Sequence, residues 1–385
     1  MAPLDPHPHT GTGPHRRPGT DSHGTVGADS HQTVGADSHR TAGTDPNRTA
    51  GTARHPRLGT DLPPYAEQIP LGRSGVTVTR LGLGTAPLAG LFSAVGADQA
   101  AATLDAAWAA GLRYFDTAPH YGAGLAERRL GDFLSASGRP RTEYTVSTKV
   151  GRLLVPGDSA PGDEAFHGDE GLVRVRDYSP AGVYRSLAES LERSGLDAFD
   201  IVLIHDPDDH WEEAVRGAYP ALARLRAEGG VRAIGAGMNQ TGMLTRLVRE
   251  TDLDCVLVAG RYSLLDRTAA DALLPLCAER EVGVLVGGVF NSGVLAAPAP
   301  GATYDYGPAP EAVLRRAQDL ARRCAAHGVP LAAAALQFPY RHPAVTSVVV
   351  GARSAREVTE NVDHATREIP RELWDELDAF GTAAR

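Results

Sequence analysis

The sequence predicts a (β/α)8 barrel of the α/β class behind a disordered N-terminal tail, and three observations carry that reading. From Tyr65 onward, short apolar runs alternate with helical patterns many times over. Runs such as "IVLI", "CVLV" and "VLVGGV" have no polar alternation, as expected of parallel strands covered on both faces. Eight such strands with helices between them close a barrel, with a doubly wound open sheet as the second choice. A chain of 385 residues can bury the core that a barrel needs.

Taken in order, residues 1–62 come first. An eight-residue repeat runs through them, "GTDSHGTV", "GADSHQTV", "GADSHRTA" and "GTDPNRTA", starting at Gly19, Gly27, Gly35 and Gly43. Almost nothing in it can pack, so it cannot offset about 1–2 kcal/mol of ordering entropy per residue, and disorder is expected. Seven of the fourteen histidines lie there, His23, His31 and His39 at a fixed spacing, a pattern open to loose metal binding but read as a low-complexity tail.

The barrel domain is assigned to 63–385. "GVTVTRLGLGT" reads as a short hairpin or cap and a first strand near Arg80–Gly84. "ADQAAATLDAAWAAG" is a helix closed by Gly111, followed by "RYFD", the helix "LAERRLGDFLSA", "YTVSTKV", the helix "AGVYRSLAESLERSG" and "DIVLIH". The alternation continues through "VRAIGAGM", "TGMLTRLVRE", "DCVLVAG", the helical "DRTAADALLPLCAER", "VGVLVGGV", a helix over about 310–327 and "VTSVVVGA". "GLGTAP" puts Pro87 where a dinucleotide fingerprint needs its third glycine, so a Rossmann site has no support.

Net charge is −9 with acids and bases interspersed, which argues against a nucleic-acid surface or a polybasic membrane patch. Cys255, Cys277 and Cys324 are too few and scattered for a disulfide framework or zinc site, which fits a reducing cytoplasm. Neither a signal-peptide core nor a membrane-spanning run is expected, and nothing in the pattern speaks to oligomeric state.

In a barrel, catalytic groups sit at the C-terminal ends of strands. Asp116, Lys149 and His205 each follow an apolar run at the ends of the second, third and fourth strands, and Tyr121 joins them from the next loop. A long insertion, about 151–178, is expected to form a loop over the mouth. With an ordinary pKa near 10, a tyrosine needs help to act as a base. A lysine beside it favours the phenolate, an aspartate keeps that lysine charged, and a histidine holds the substrate oxygen. On this reading the tyrosine pKa is lowered, and a fall of about 2–3 corresponds to roughly 3–4 kcal/mol, within the reach of one desolvated lysine.

At this point "FDTAPHYGAGLAERRLG", Lys149 in "STKV", His205 in "VLIHDPDD", "GMNQ" and "VVVGARSAREVTEN" together resemble the aldo-keto reductase family, over about 67–380. Within it, "RDYSPAGVYRSLAESL", "GAGMNQ" and "GGVFNSGVLA" look most like the aldose 1-dehydrogenases of the L-fucose or D-threo-aldose type, with pyridoxal 4-dehydrogenases close by. The resemblance implies a catalytic tetrad of Asp116, Tyr121, Lys149 and His205, with Tyr121 as acid/base, acting with NAD or NADP on an aldose or other carbonyl or alcohol. It also implies that Asn239 holds the nicotinamide carboxamide and Tyr262 stacks on the ring. The pyrophosphate would lie under 287–295, including Gly288, Ser292, Gly293 and Leu295. The adenosine end would meet Gly351, Arg353, Glu357 and Asn361.

Two departures from the family pattern stand out. Ala259 replaces a frequent glutamine three residues before Tyr262, which leaves more of the carboxamide contact to Asn239. Glu357 would repel a 2′-phosphate, so NAD is favoured over NADP, although Arg353 and Arg356 lie close enough in sequence to reverse the sign.

Simpler readings stand beside these. "HDPDDH" offers potential metal ligands but also makes a good turn and helix start, and no metal is assigned. Trp108 and Trp374 read as packing residues and Cys255 as an inert core thiol. Competing functions are a cofactor-binding regulatory subunit, a pyridoxal or small-aldehyde reductase, and a metal-dependent hydrolase on the same barrel.

Overall fold

The apolar runs form β1 (Leu81–Gly84), β2 (Tyr114–Asp116), β3 (Thr145–Val150), β4 (Ile201–His205), β5 (Ala233–Met238), β6 (Cys255–Ala259), β7 (Gly283–Gly287) and β8 (Val345–Gly351). Each pairs in parallel with the next, and β8 returns to β1 through Val348 opposite Leu81, so the sheet closes. This computed structural model describes residues 64–382 except 137, 158–165 and 167–170. The expected tail at 1–62 lies outside the described residues, and among those described no helix is long and apolar enough to cross a membrane.

Side-chain parity explains what fills the barrel. Alternate strand residues face opposite sides, and one set (Tyr114, Ile201, Leu203, Ala233, Cys255, Leu257, Leu285 and Val349) packs together inside. The other set faces the helices in a larger shell. The expected cap is a hairpin of Gln68–Pro70 with Thr77–Thr79, and Leu71, Val76 and Val78 join the inner cluster to close its lower end. Gly82 leaves the room that Tyr114 takes up: a Cβ there would lie 2.6 Å from the tyrosine ring. By the same parity, Asp116 follows Tyr114, Lys149 follows Ser147 and His205 follows Leu203 on the inner face, one layer higher.

Several elements differ from expectation. The insertion forms an antiparallel hairpin of Arg152–Pro156 with Leu172–Arg176 rather than a plain loop, because "VRVR" alternates with a strand period and pairs with the apolar run "LLV". The segment 266–280 is not one helix: a 3-10 turn, Thr268–Ala270, precedes the helix Leu273–Glu279. Pro275 has no N–H to donate and fits only in a first turn, which delays the start. The helix Leu331–Gln337 escapes a periodicity reading since Leu331 through Leu336 are all buried, leaving no polar face.

The helices Leu125–Ala136 and Pro180–Ser194 touch backbone to backbone: a Cβ on Gly131 would fall 1.8 Å from the Ser194 carbonyl oxygen. A backbone atom cannot swing aside, so even one methyl must push the helices apart. Gly131→Ala is expected to cost about 1–3 kcal/mol, read as a lowered denaturation midpoint with an unchanged m-value.

Candidate active site

At the upper end of the barrel the Lys149 ammonium is the hub. It donates to both Asp116 carboxylate oxygens at 2.9 and 2.7 Å, to the Thr117 carbonyl at 3.0 Å and to the Tyr121 hydroxyl at 3.0 Å. Ser147 donates to Asp116 Oδ1 at 2.7 Å and lies 3.0 Å from the Tyr114 hydroxyl, so the carboxylate is held from below as well. His205 meets Tyr121 edge to face, with ring centroids 6.0 Å apart. The four residues expected from strand ends and the following loop are therefore brought together.

Burial alone would lower the Lys149 pKa, but Asp116 and Tyr121 outweigh it and the pKa is raised, so the ammonium stays charged. Burial pushes His205 well below the usual histidine range, with Arg152 and Lys149 adding to the effect, so the imidazole is neutral. His120 is pushed down to about 3, chiefly by burial and then by Arg152 and Arg174. Tyr121 departs from expectation: burial raises its pKa, and Lys149 opposes this without reversing it. The expected depression of the phenol pKa is corrected accordingly. In the free protein at neutral pH, Tyr121 is a protonated phenol, able to donate.

The turn after β7 is the region able to cradle a phosphate-bearing cofactor. Gly288, Asn291, Ser292 and Gly293 all take left-handed φ values of 62°, 45°, 59° and 112°. A Cβ on Gly288 would lie 2.9 Å from the Gly260 nitrogen. The buried Asn291 Oδ1 has no hydrogen-bond partner among the described residues, while its amide nitrogen donates to the Gly260 carbonyl at 3.0 Å. An orphaned buried acceptor beside a glycine-lined turn fits a donating ligand group, such as an amide N–H or a ribose hydroxyl, rather than a phosphate oxygen, and sequence reasoning had not singled Asn291 out.

Other cofactor candidates divide. Asn239, next after β5, is hydrogen-bonded to the Tyr306 phenol. Gly351 ends β8, and Asn361 is buried on the helix Ala355–Thr366. Glu357 accepts from the Arg353 backbone N–H at 2.8 Å and from its guanidinium at 3.0 Å, and Arg356 pairs with Glu360 at 2.7 Å. Both arginines near Glu357 are thus engaged by glutamates.

Three assigned contacts gain no support from this geometry. Tyr262 is 6% exposed and packs against Phe338 and His342 in the shell between barrel and helices, where its neighbours cover the ring. Leu295 is buried in the same shell and its N–H is bonded to the Phe290 carbonyl, as is that of Gly293, so neither presents a free amide. Ser292 instead ties down a neighbouring hairpin, its hydroxyl accepting from the Tyr306 N–H at 3.0 Å.

The structure also brings in residues that the motifs did not reveal. Phe166 stacks on Tyr121 with centroids 6.1 Å apart and meets His120 edge-on at 5.3 Å. Phe92 and Tyr306, both exposed, lie 6.2 Å apart. Members of "HDPDDH" find separate partners, Asp206 with Arg152 at 2.6 Å and His210 with Glu213 at 3.5 Å.

Comparison with known proteins agrees with this geometry. Residues 80–382 match the aldo/keto reductase family. The chain is 47% identical over 312 residues to D-threo-aldose 1-dehydrogenase of a Pseudomonas species, covering 79% of this chain and 94% of that relative. It is 42% identical over 338 residues to pyridoxal 4-dehydrogenase of Microbacterium luteolum, covering 82% and 98%. Among solved structures, the glycerol dehydrogenase of Gluconobacter oxydans aligns with a TM-score of 0.64 at 22% identity, over 82% of this chain and 95% of that one, a likeness of fold alone. The chain belongs to the aldo-keto reductase family, whose members are nicotinamide-dependent oxidoreductases.

Proposed function

We propose that this enzyme moves hydride between NAD and C1 of an aldose of the L-fucose or D-threo-aldose type, with Tyr121 as acid/base. The observation that carries the reading is the single Lys149 ammonium bonded to both Asp116 and the Tyr121 hydroxyl at the barrel mouth. Relatives named for aldose and pyridoxal oxidation support the substrate class, with pyridoxal-type alcohols as the second candidate. When bound, the nicotinamide supplies the hydride acceptor or donor.

The chain's own groups handle the proton. In carbonyl reduction the Tyr121 phenol donates to the developing alkoxide, and the Lys149 charge stabilises the phenolate left behind. In oxidation the phenolate removes the C1 hydroxyl proton. Neutral His205 donates a hydrogen bond to the same oxygen without adding a charge. Asn239, Gly288 and Asn291 are the residues suited to hold the cofactor, and Phe166 shields the Tyr121 ring.

Glu357 underlies the preference for NAD. Its carboxylate already pairs with Arg353, and Arg356 is paired with Glu360, so neither of these arginines stands as a surplus cation for a 2′-phosphate.

The first test follows absorbance at 340 nm with NAD or NADP and L-fucose, D-arabinose, L-galactose and pyridoxine-type alcohols. One sugar is expected to reduce NAD, and Tyr121→Phe to lower that rate by at least about 100-fold. Retention of full activity in that variant would exclude Tyr121 as the acid/base. Because burial raises the phenol pKa, the phenolate fraction grows roughly tenfold per pH unit below it. Sugar oxidation measured as kcat/KM is therefore expected to climb through pH 6–9, while carbonyl reduction stays nearly flat; an oxidation rate that falls or does not change as pH rises over this range contradicts the assignment. Glu357→Gln is expected to tighten NADPH relative to NADH by about tenfold in a fluorescence titration, and an unchanged ratio would remove Glu357 from cofactor choice.

A further inference from the structure

The residue after His205 is placed in a way that turn formation does not explain. Asp206 has a left-handed backbone, φ 42°, a region that aspartate tolerates better than most residues but that still carries strain. Three hydrogen bonds hold it there or close by. Its N–H donates to the Gly237 carbonyl at 3.0 Å, and the Tyr178 hydroxyl donates to the Asp206 and His205 carbonyls, each at 2.7 Å. The outcome is a carboxylate aimed at the mouth, 28% exposed, with Oδ2 only 3.4 Å from His205 Nε2.

Arg152 reaches the same point from the insertion hairpin. Its Nη2 donates to Asp206 Oδ2 at 2.6 Å, while its buried Nε finds no acceptor among the described residues. A carboxylate acceptor and an unspent guanidinium donor thus stand next to the histidine that holds the reacting oxygen. Oxygens on adjacent carbons of a sugar are about as far apart as a hydrogen bond is long, so the neighbouring hydroxyl of such a substrate falls within reach of this pair.

We propose that Asp206 and Arg152 form a recognition pair for the hydroxyl adjacent to the reacting carbon, making the site selective for 2-hydroxy carbonyls and cyclic aldoses over their 2-deoxy counterparts. Asp206 accepts from that hydroxyl and Arg152 donates to it. This assignment rests on the oxidoreductase reading above and deepens it by naming the substrate feature that is read. A site built around a hydrogen bond to a hydroxyl discriminates sharply against the analogue lacking it, because its own polar groups are then left unpaired.

The test compares NAD-linked oxidation of L-fucose with 2-deoxy-L-fucose, and of D-arabinose with 2-deoxy-D-ribose, in the wild-type enzyme, Asp206→Asn and Arg152→Gln. Asparagine also tolerates the left-handed backbone, which limits damage to the loop. Wild type is expected to favour the 2-hydroxy sugar in kcat/KM by roughly 10- to 100-fold. Each variant is expected to lose more on the 2-hydroxy sugar than on the 2-deoxy one, so that the preference falls to within about threefold. Equal losses on both sugars in both variants would mean that the pair only supports the loop, and a wild-type enzyme without preference would overturn the assignment alone. Failure to oxidise either member of both pairs would overturn the aldose reading and this assignment with it.

Discussion

One buried charge organises this molecule. Lys149 is 2% exposed, and a lone ammonium at that depth would cost several kcal/mol of desolvation. It is tolerated because Asp116, the Thr117 carbonyl and Tyr121 surround it, and because Ser147 and Tyr114 fix Asp116 from the layer below. These groups come from two adjacent strands and the loop that follows one of them, so the charge is stable only when β2 and β3 are in register. The same bonds that make the lysine tolerable bring it against the one phenol that the chemistry needs. Structure and reactivity share a constraint here.

Around that hub the electrostatics run in opposite directions for different groups. Burial keeps Tyr121 protonated and His205 neutral, while paired charges keep Lys149 ionised. The site therefore holds a donor, a neutral hydrogen-bonding ring and a fixed cation within one small volume. Such a set suits proton transfer to or from an oxygen. The insertion hairpin contributes more than cover, since Arg152 and Arg174 depress the His120 pKa and Arg152 engages Asp206.

Much of this was legible in the sequence, and the limits are physical. Strand ends announce themselves because a polar residue interrupts an apolar run, and period-two parity then sends Asp116, Lys149 and His205 inward. Tyr262 could not be placed that way. It lies beyond Gly260, whose φ of 69° turns the chain, and past such a turn parity no longer says which side of the barrel a ring will face. Leu295 follows a run of left-handed residues and goes to the core for the same reason. The Tyr121 pKa depends on how completely water is excluded, a property of packing that no motif encodes. The arginine–aspartate pair joins residues 152 and 206, far apart in sequence, and only the hairpin brings them into contact.

The hairpin of Gln68–Pro70 and Thr77–Thr79 gives the barrel a floor, with Leu71, Val76 and Val78 packed beneath Tyr114 and Leu203. Above that floor Tyr114, Leu203, Leu257 and Leu285 fill the interior, so no passage runs through the barrel. Anything bound beside Lys149 therefore comes and goes on that side, and the apolar contacts at the far end leave the molecule a front and a back.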